Sequence, residues 1–322
     1  MPKLALILLM PALLAAAAPR TVTFASYAPQ FDNFEARTRG MATDRRVLAF
    51  RAEFDRILPG LYSVADAALD RRIARALTEF PSIRPAYRIV ESRFPGALAS
   101  AVRHFRTVFP QFASPLPIFL VHSLGTRDGG SDYVGGRKAM LFGADVIAKL
   151  HNDDSLQPFL DHELFHLEHA RHFMDCDQLW CPLWQEGLAT YAAASMTPGA
   201  TDHQLLLDAP APIRAATEAR WGEALCRMAV GFDSADNGDI AAAFMGRGKS
   251  SGLPQRFGYY VGLRIASEAA RNRTLPVLAG LDDEAARPVV AAALTALIDA
   301  AHAPCRPPAA NGAITRHVAR PA

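Results

Sequence analysis

The sequence lacks an excess of charge of either sign. Its 34 Lys and Arg face 32 Asp and Glu, mixed along the chain, for a net +2. That excludes the basic face of a nucleic-acid binder and the run of like charges of a polyanion-binding tail. No apolar run beyond Leu14 is long enough to cross a bilayer, which excludes a multi-span membrane protein. No internal repeat is present. Cysteine is scarce, with four residues at Cys176, Cys181, Cys226 and Cys305. An even count in an exported chain reads as two disulfides. Cys176 with Cys181 would close a small loop and Cys226 with Cys305 would tie two distant helices, with the other pairings still open.

What is present is a chain of 322 residues, 50% of them hydrophobic, enough for one sizeable core or two small ones. Lys3, the apolar Leu4 to Leu14 and the small residues Ala15 to Ala18 read as a signal peptide over residues 1–18. No cysteine follows the cut, so a lipoprotein anchor is not indicated. The expectation is a periplasmic or secreted protein with no stable membrane span after signal cleavage. Residues 19–113 read as a helical portion, with apolar residues at Val47, Phe50, Phe54, Ile57 and Leu61 and further helices over 67–80 and 97–109. Prolines 59, 81, 85, 95 and 110 are expected to punctuate them. Residues 114–306 read as a second, catalytic portion. It opens on a β-rich run at 117–122, a Gly-rich loop over 125–136 and a second strand at 138–142, together a long-looped hairpin. Helices are expected over 144–151, 156–173, 182–195, 257–270 and 285–301, and residues 307–322 read as a disordered tail.

The informative stretch is His162-Glu163-Leu164-Phe165-His166. Its two histidines are four apart. On a helix that puts them on one face about 40° apart, with Cβ atoms roughly 5–6 Å from each other. Both imidazoles can then meet one Zn²⁺ at about 2.0–2.1 Å. Glu163 can reach a water at the metal without being a ligand, the position of a general base. The plain alternative is two histidines on the polar face of an amphipathic helix. A catalytic site needs a third protein ligand and an open position. His172 is ten residues after His162, but the glycine that breaks the helix in that pattern is replaced by His169. On an unbroken helix His172 lies about 9 Å beyond His166 and on another face. The other candidate is Glu186, twenty residues after His166.

Glu186 lies in Trp184-Gln185-Glu186-Gly187-Leu188-Ala189-Thr190-Tyr191. This run resembles the glutamate helix of the gluzincin metallopeptidases, which follow HExxH with a distal Glu on a second helix. The segment Gly258-Tyr259-Tyr260-Val261-Gly262-Leu263-Arg264-Ile265-Ala266, and Pro59-Gly60-Leu61-Tyr62, are similar to phrases in predicted zinc-dependent proteases of the gliding-motility-lipoprotein type. The resemblance implies an α+β, mostly helical fold whose zincin-like catalytic unit has a small sheet and an HExxH active-site helix. It implies that His162, His166 and Glu186 hold Zn²⁺ and that a peptide or protein is the substrate. It also implies that strand 138–142 is the sheet edge on which the peptide lies. By the same analogy Tyr259 or Tyr260 donates to the oxyanion, beside the alternative of a tyrosine pair packed in a helical core. Arg264 is a weaker candidate for a substrate carboxylate. Where such enzymes often carry an acid four residues after the ligand Glu, this chain has Thr190, so Asp145, Asp161 or a backbone carbonyl is left to orient a histidine.

The expected function is a zinc-dependent peptidase with Glu163 as base. Three alternatives stand beside it. One is a hydrolase of a non-peptide amide or a cell-wall crosslink. Another is a catalytically silent zincin serving as an envelope binding or assembly module. The third is a protein whose zinc is structural, held by His169, His172, Cys176 and Cys181.

Overall fold

A computed structural model describes residues 22–63, 66–151, 153–174, 176–246, 252–309, 312 and 314. The expected signal peptide and most of the expected tail lie outside the described residues. The chain is α+β and mostly helical, with one four-stranded mixed sheet. Among the described residues no helix is long and apolar enough to cross a membrane.

The order is β1 (Phe24–Ser26), α1 (Ala28–Thr38), α2 (Thr43–Ile57), α3 (Ala67–Phe105), β2 (Ile118–Val121), β3 (Ser131–Val134), β4 (Arg137–Gly143), α4 (Ala144–Leu150), α5 (Asp153–His169) and α6 (Trp180–Met196). Then come α7 (Ile213–Glu218), α8 (Trp221–Val230), α9 (Asn237–Phe244), α10 (Phe257–Ala269), α11 (Leu275–Ala279) and α12 (Asp283–Ala300). In the sheet the strands lie β1-β2-β4-β3.

β2 and β4 pair in parallel, so the expected hairpin between them is not formed. Both are buried apolar runs, Ile118–Val121 and Ala139–Phe142, as interior strands covered on both faces are. The hairpin partner of β4 is β3, inside the Gly-rich stretch that read as loop. Val134 pairs with Arg137 across Gly135-Gly136, whose φ values of +58° and +73° make the two-residue turn that only glycine adopts cheaply. β3 is half-exposed Ser-Asp-Tyr-Val, an edge composition. The edge strands are therefore β1 and β3, and residues 138–142 are interior, a correction to the expected peptide-binding edge.

The second correction concerns α3. The expected helices over 67–80 and 97–109 are parts of one helix of 39 residues that runs through Pro81, Pro85 and Pro95. All three prolines lie on its exposed side, where water can take the carbonyls they leave unpaired. The opposite side buries Ile73, Leu77, Phe80, Tyr87, Phe94, Leu98 and Phe105, and that stripe outweighs the local penalty. Phe94 meets Phe24 of β1 at 5.9 Å and Phe142 of β4 at 5.0 Å, which lays α3 across the sheet.

Disulfides join Cys176 to Cys181 and Cys226 to Cys305. The first lies in the connection from α5 to α6 and the second ties α8 to the segment after α12. Two disulfides fit a compartment outside the reducing cytoplasm.

Candidate metal centre

α5 buries Phe159, Leu160, Leu164, Phe165 and Leu167. Phe159 meets Phe142 of the sheet at 5.8 Å and Phe165 meets Phe109 at 6.0 Å. These contacts fix the rotation of the helix and leave His162, Glu163 and His166 lining a cleft of about 370 Å³. α5 ends at His169, earlier than the expected Phe173. His172 is exposed beyond that end and lines a separate hollow with Phe109 and Glu168. It does not join the histidine pair.

α6 is almost wholly apolar and buries Leu183, Trp184, Leu188, Ala189 and Ala192. Gly187 touches Gly262 of α10 backbone to backbone, and a Cβ on either residue would penetrate the other helix. This close crossing seats Glu186 at the cleft and brings Tyr259, one turn before Gly262, to the same wall.

The Nε2 atoms of His162 and His166 are 3.0 Å apart. Glu186 Oε2 lies 3.3 Å from the first and 3.5 Å from the second. Ligand atoms about 2.05 Å from a tetrahedral zinc are separated by about 3.3 Å from one another. The observed triangle matches that spacing, and its corners are the atoms that carry lone pairs. The three residues could hold a metal ion, and they are the one such group among the described residues.

Burial pushes the His162 pKa below its ordinary value, which favours the neutral imidazole a metal requires. Burial also acts to raise Glu186, but the facing His166 and His162 overcome it and hold the carboxyl well below the usual range. Glu163 moves the other way. Burial first, then Asp128 and Glu186, push it up to about 8 against the pull of His166. A cation at the three ligands acts on Glu163 in the opposite sense and favours its ionised form.

Glu163 is packed against Gly129, where an added Cβ would collide with its carboxyl group. Gly129 is held by Asp128, whose Oδ1 accepts from the Gly129 amide at 3.0 Å and whose Oδ2 lies 3.4 Å from Nε2 of buried His151. The Asp128 carbonyl accepts from Gly143 at the end of β4. The Gly-rich stretch is thus the floor under the base. Asp128, Gly129 and Arg256 all line the cleft and all escaped the sequence reading. Compared with known proteins, the chain matches no family model, no curated protein and no solved structure.

The two tyrosines separate. Tyr259 lines the cleft, and burial beside Glu186 raises its pKa, so it stays a neutral donor. Tyr260 points to another cluster with Leu207, Ile213 and Leu263, and its hydroxyl is engaged by Glu218 and Arg264. Arg264 lies 3.8 Å from Glu218 and 5.0 Å from the Trp221 ring centroid, and does not line the cleft. Neither proposed acidic partner reaches the histidine pair. Asp145 accepts from the Ser123 and Gly125 amides at 2.6 and 2.7 Å, and Asp161 faces His104 at 3.0 Å. Thr190 donates to the Glu186 carbonyl at 2.7 Å. The alternative structural zinc loses its ligands, because Cys176 and Cys181 are bonded to each other and His169 is stacked between Phe165 and Phe173.

Proposed function

We propose that this protein is a zinc-dependent peptidase, with a zincin-like catalytic unit made of α5, α6, α10 and the sheet. The observation that carries the reading is the convergence of three lone-pair atoms at zinc spacing in a cleft that also holds an uncommitted carboxylate. His162, His166 and Glu186 are the zinc ligands. When bound, zinc supplies Lewis acidity that polarises a scissile carbonyl and acidifies water.

Glu163 takes a proton from the attacking water and delivers it to the leaving amine. Its seat on Gly129 fixes the direction of that transfer. Tyr259 donates its hydroxyl to the oxyanion. A binding module has no use for a buried carboxyl group beside its metal, which weighs against a silent role. A non-peptide amide would meet the same groups, and a panel of peptide and muropeptide substrates separates the two.

The test is zinc content and casein or peptide cleavage for wild type, Glu163→Gln and Glu186→Ala. Glu163→Gln keeps full zinc and loses activity, while Glu186→Ala loses zinc affinity. Normal zinc binding by Glu186→Ala would remove the ligand assignment. A fully loaded wild type inactive on every peptide would favour the silent module.

A further inference from the structure

Arg256 is the last residue before α10 and has a left-handed backbone, with φ +62°. That conformation costs an arginine roughly 1–2 kcal/mol. Such strain persists where the surroundings over-determine it, and it gathers at sites with a task. Here the surroundings are visible. One guanidinium nitrogen donates to the Ala209 carbonyl at 3.1 Å, and the guanidinium carbon sits 4.5 Å from the Tyr259 ring centroid. The side chain is half-buried and lines the cleft that contains Glu163 and Glu186.

What it lacks among the described residues is an acid. Nearby arginines each have one: Arg214 with Asp202 at 2.5 Å, Arg220 with Glu223, Arg264 with Glu218. Two acids of the cleft are engaged elsewhere, Glu186 by the histidines and Asp128 by His151, and Glu163 rests on Gly129. Among the described residues no carboxylate pairs with Arg256. A guanidinium has five N–H donors in a planar fork that fits a carboxylate by two parallel hydrogen bonds. The Ala209 carbonyl and the Tyr259 ring and hydroxyl take part of that fork, and its other donors remain for a ligand in the cleft. Lys138 of β4 adds a second cation to the lining.

We infer that Arg256 is a subsite for a substrate carboxylate, held beside the reacting carbonyl by its stacking on Tyr259. The inference rests on the peptidase reading above. It makes a carboxylate-bearing peptide the preferred substrate, the group being either a free C-terminus or an Asp or Glu side chain.

The test uses the zinc-loaded full chain and two readouts. The first needs no turnover. Binding of 2-benzylsuccinate, with two carboxylates, is compared with 3-phenylpropanoate, with one, by titration calorimetry. Wild type prefers the dicarboxylate by at least about tenfold. Arg256→Gln and Arg256→Gly lose that preference at unchanged zinc content, and Arg256→Lys keeps part of it. The glycine variant relieves the left-handed strain, which offsets the hydrogen bond to Ala209 and the ring contact it gives up. The second readout is cleavage of peptide mixtures with free or amidated C-termini and with Glu or Gln inside. Selectivity for the free acid assigns the C-terminus, and selectivity for Glu assigns the side chain. Either must vanish in Arg256→Gly, through KM more than kcat. An equal dicarboxylate preference in wild type and Arg256→Gly overturns the subsite even if peptides are cleaved. Full calorimetric selectivity without cleavage of any peptide keeps the subsite and sinks the peptidase reading.

Discussion

Two regions of this molecule bury charge in opposite ways. In the helical portion, Asp32 and Glu35 of α1 are buried and enclosed by arginines. Arg84 and Arg88 meet Asp32 at 2.8 and 2.6 Å, while Arg39 lies 3.1 Å and Arg46 3.5 Å from Glu35, with Arg84 also against it. Both of these buried acids have cations within the fold. In the cleft, two imidazoles and a carboxylate aim lone pairs at one another, and Glu163 rests on a glycine, in no ion pair among the described residues. Buried charge that is closed on itself serves the fold, and buried charge directed at a common point serves a ligand.

The sharpest way to break this contrast is to remove one acid from each region. Glu163→Gln should lower activity by about 10³-fold or more, with the zinc content and melting temperature near wild type. Glu35→Gln should do the reverse, costing roughly 3 kcal/mol in urea denaturation because Arg46 loses its carboxylate and Arg84 keeps only Asp32, with kcat unchanged in the folded fraction. If Glu35→Gln lowered kcat at full zinc occupancy, the division would fail.

Acid should next find the seam between the helical portion and the sheet. His122 is fully buried against the Phe31 ring, 3.5 Å between centroids, and burial lowers its pKa from 6.5 to about 4. The unfolded chain therefore binds a proton below pH 6.5 that the folded chain refuses until about pH 4. Stability is full above the unfolded value and falls as pH drops through that window, by up to about 3 kcal/mol from this residue. Urea midpoints of metal-free protein from neutral pH to about 4.5 measure it. A slope that His122→Asn leaves unaltered would assign the loss elsewhere. The smallest effect compares neighbours on one helix. Tyr259→Phe should cost about 10²-fold in kcat. Tyr260→Phe should leave kcat alone and show only a modest loss of stability, from its hydrogen bonds to Glu218 and Arg264. Equal losses in kcat would mean that neither phenol is a specific donor.

Much of the metal-type triad was readable in the sequence because His162 and His166 are local to one helix and Glu186 sits in a recognisable run. The elements α4, α6, α10 and α12 were readable from their apolar spacing. β3 was not, because Ser-Asp-Tyr-Val in a Gly-rich stretch carries little apolar signal, and its one local mark is the Gly135-Gly136 turn. Local proline rules split α3 in two because they omit which side of the helix faces water. Tyr259 and Tyr260 could not be told apart, since adjacent residues on a helix differ by about 100° and only the docking of α10 says which one meets the cleft. Asp128, Gly129 and Arg256 reach the cleft from segments far from HELFH in sequence, and spacing rules do not extend that far.

The glycine crossing of α6 and α10 bears on how this protein could diversify. Backbone meets backbone there, so neither helix can accept a bulkier residue at the contact, and the wall bearing Glu186 and Tyr259 is frozen against drift. Another part of the lining is different. Gln204, Leu205 and Leu206 reach the cleft from the segment between α6 and α7, which belongs to no helix or strand. Inherited variation in what the cleft accepts should therefore accumulate in residues 202–206, while Gly187 and Gly262 stay as they are through any lineage that keeps the site.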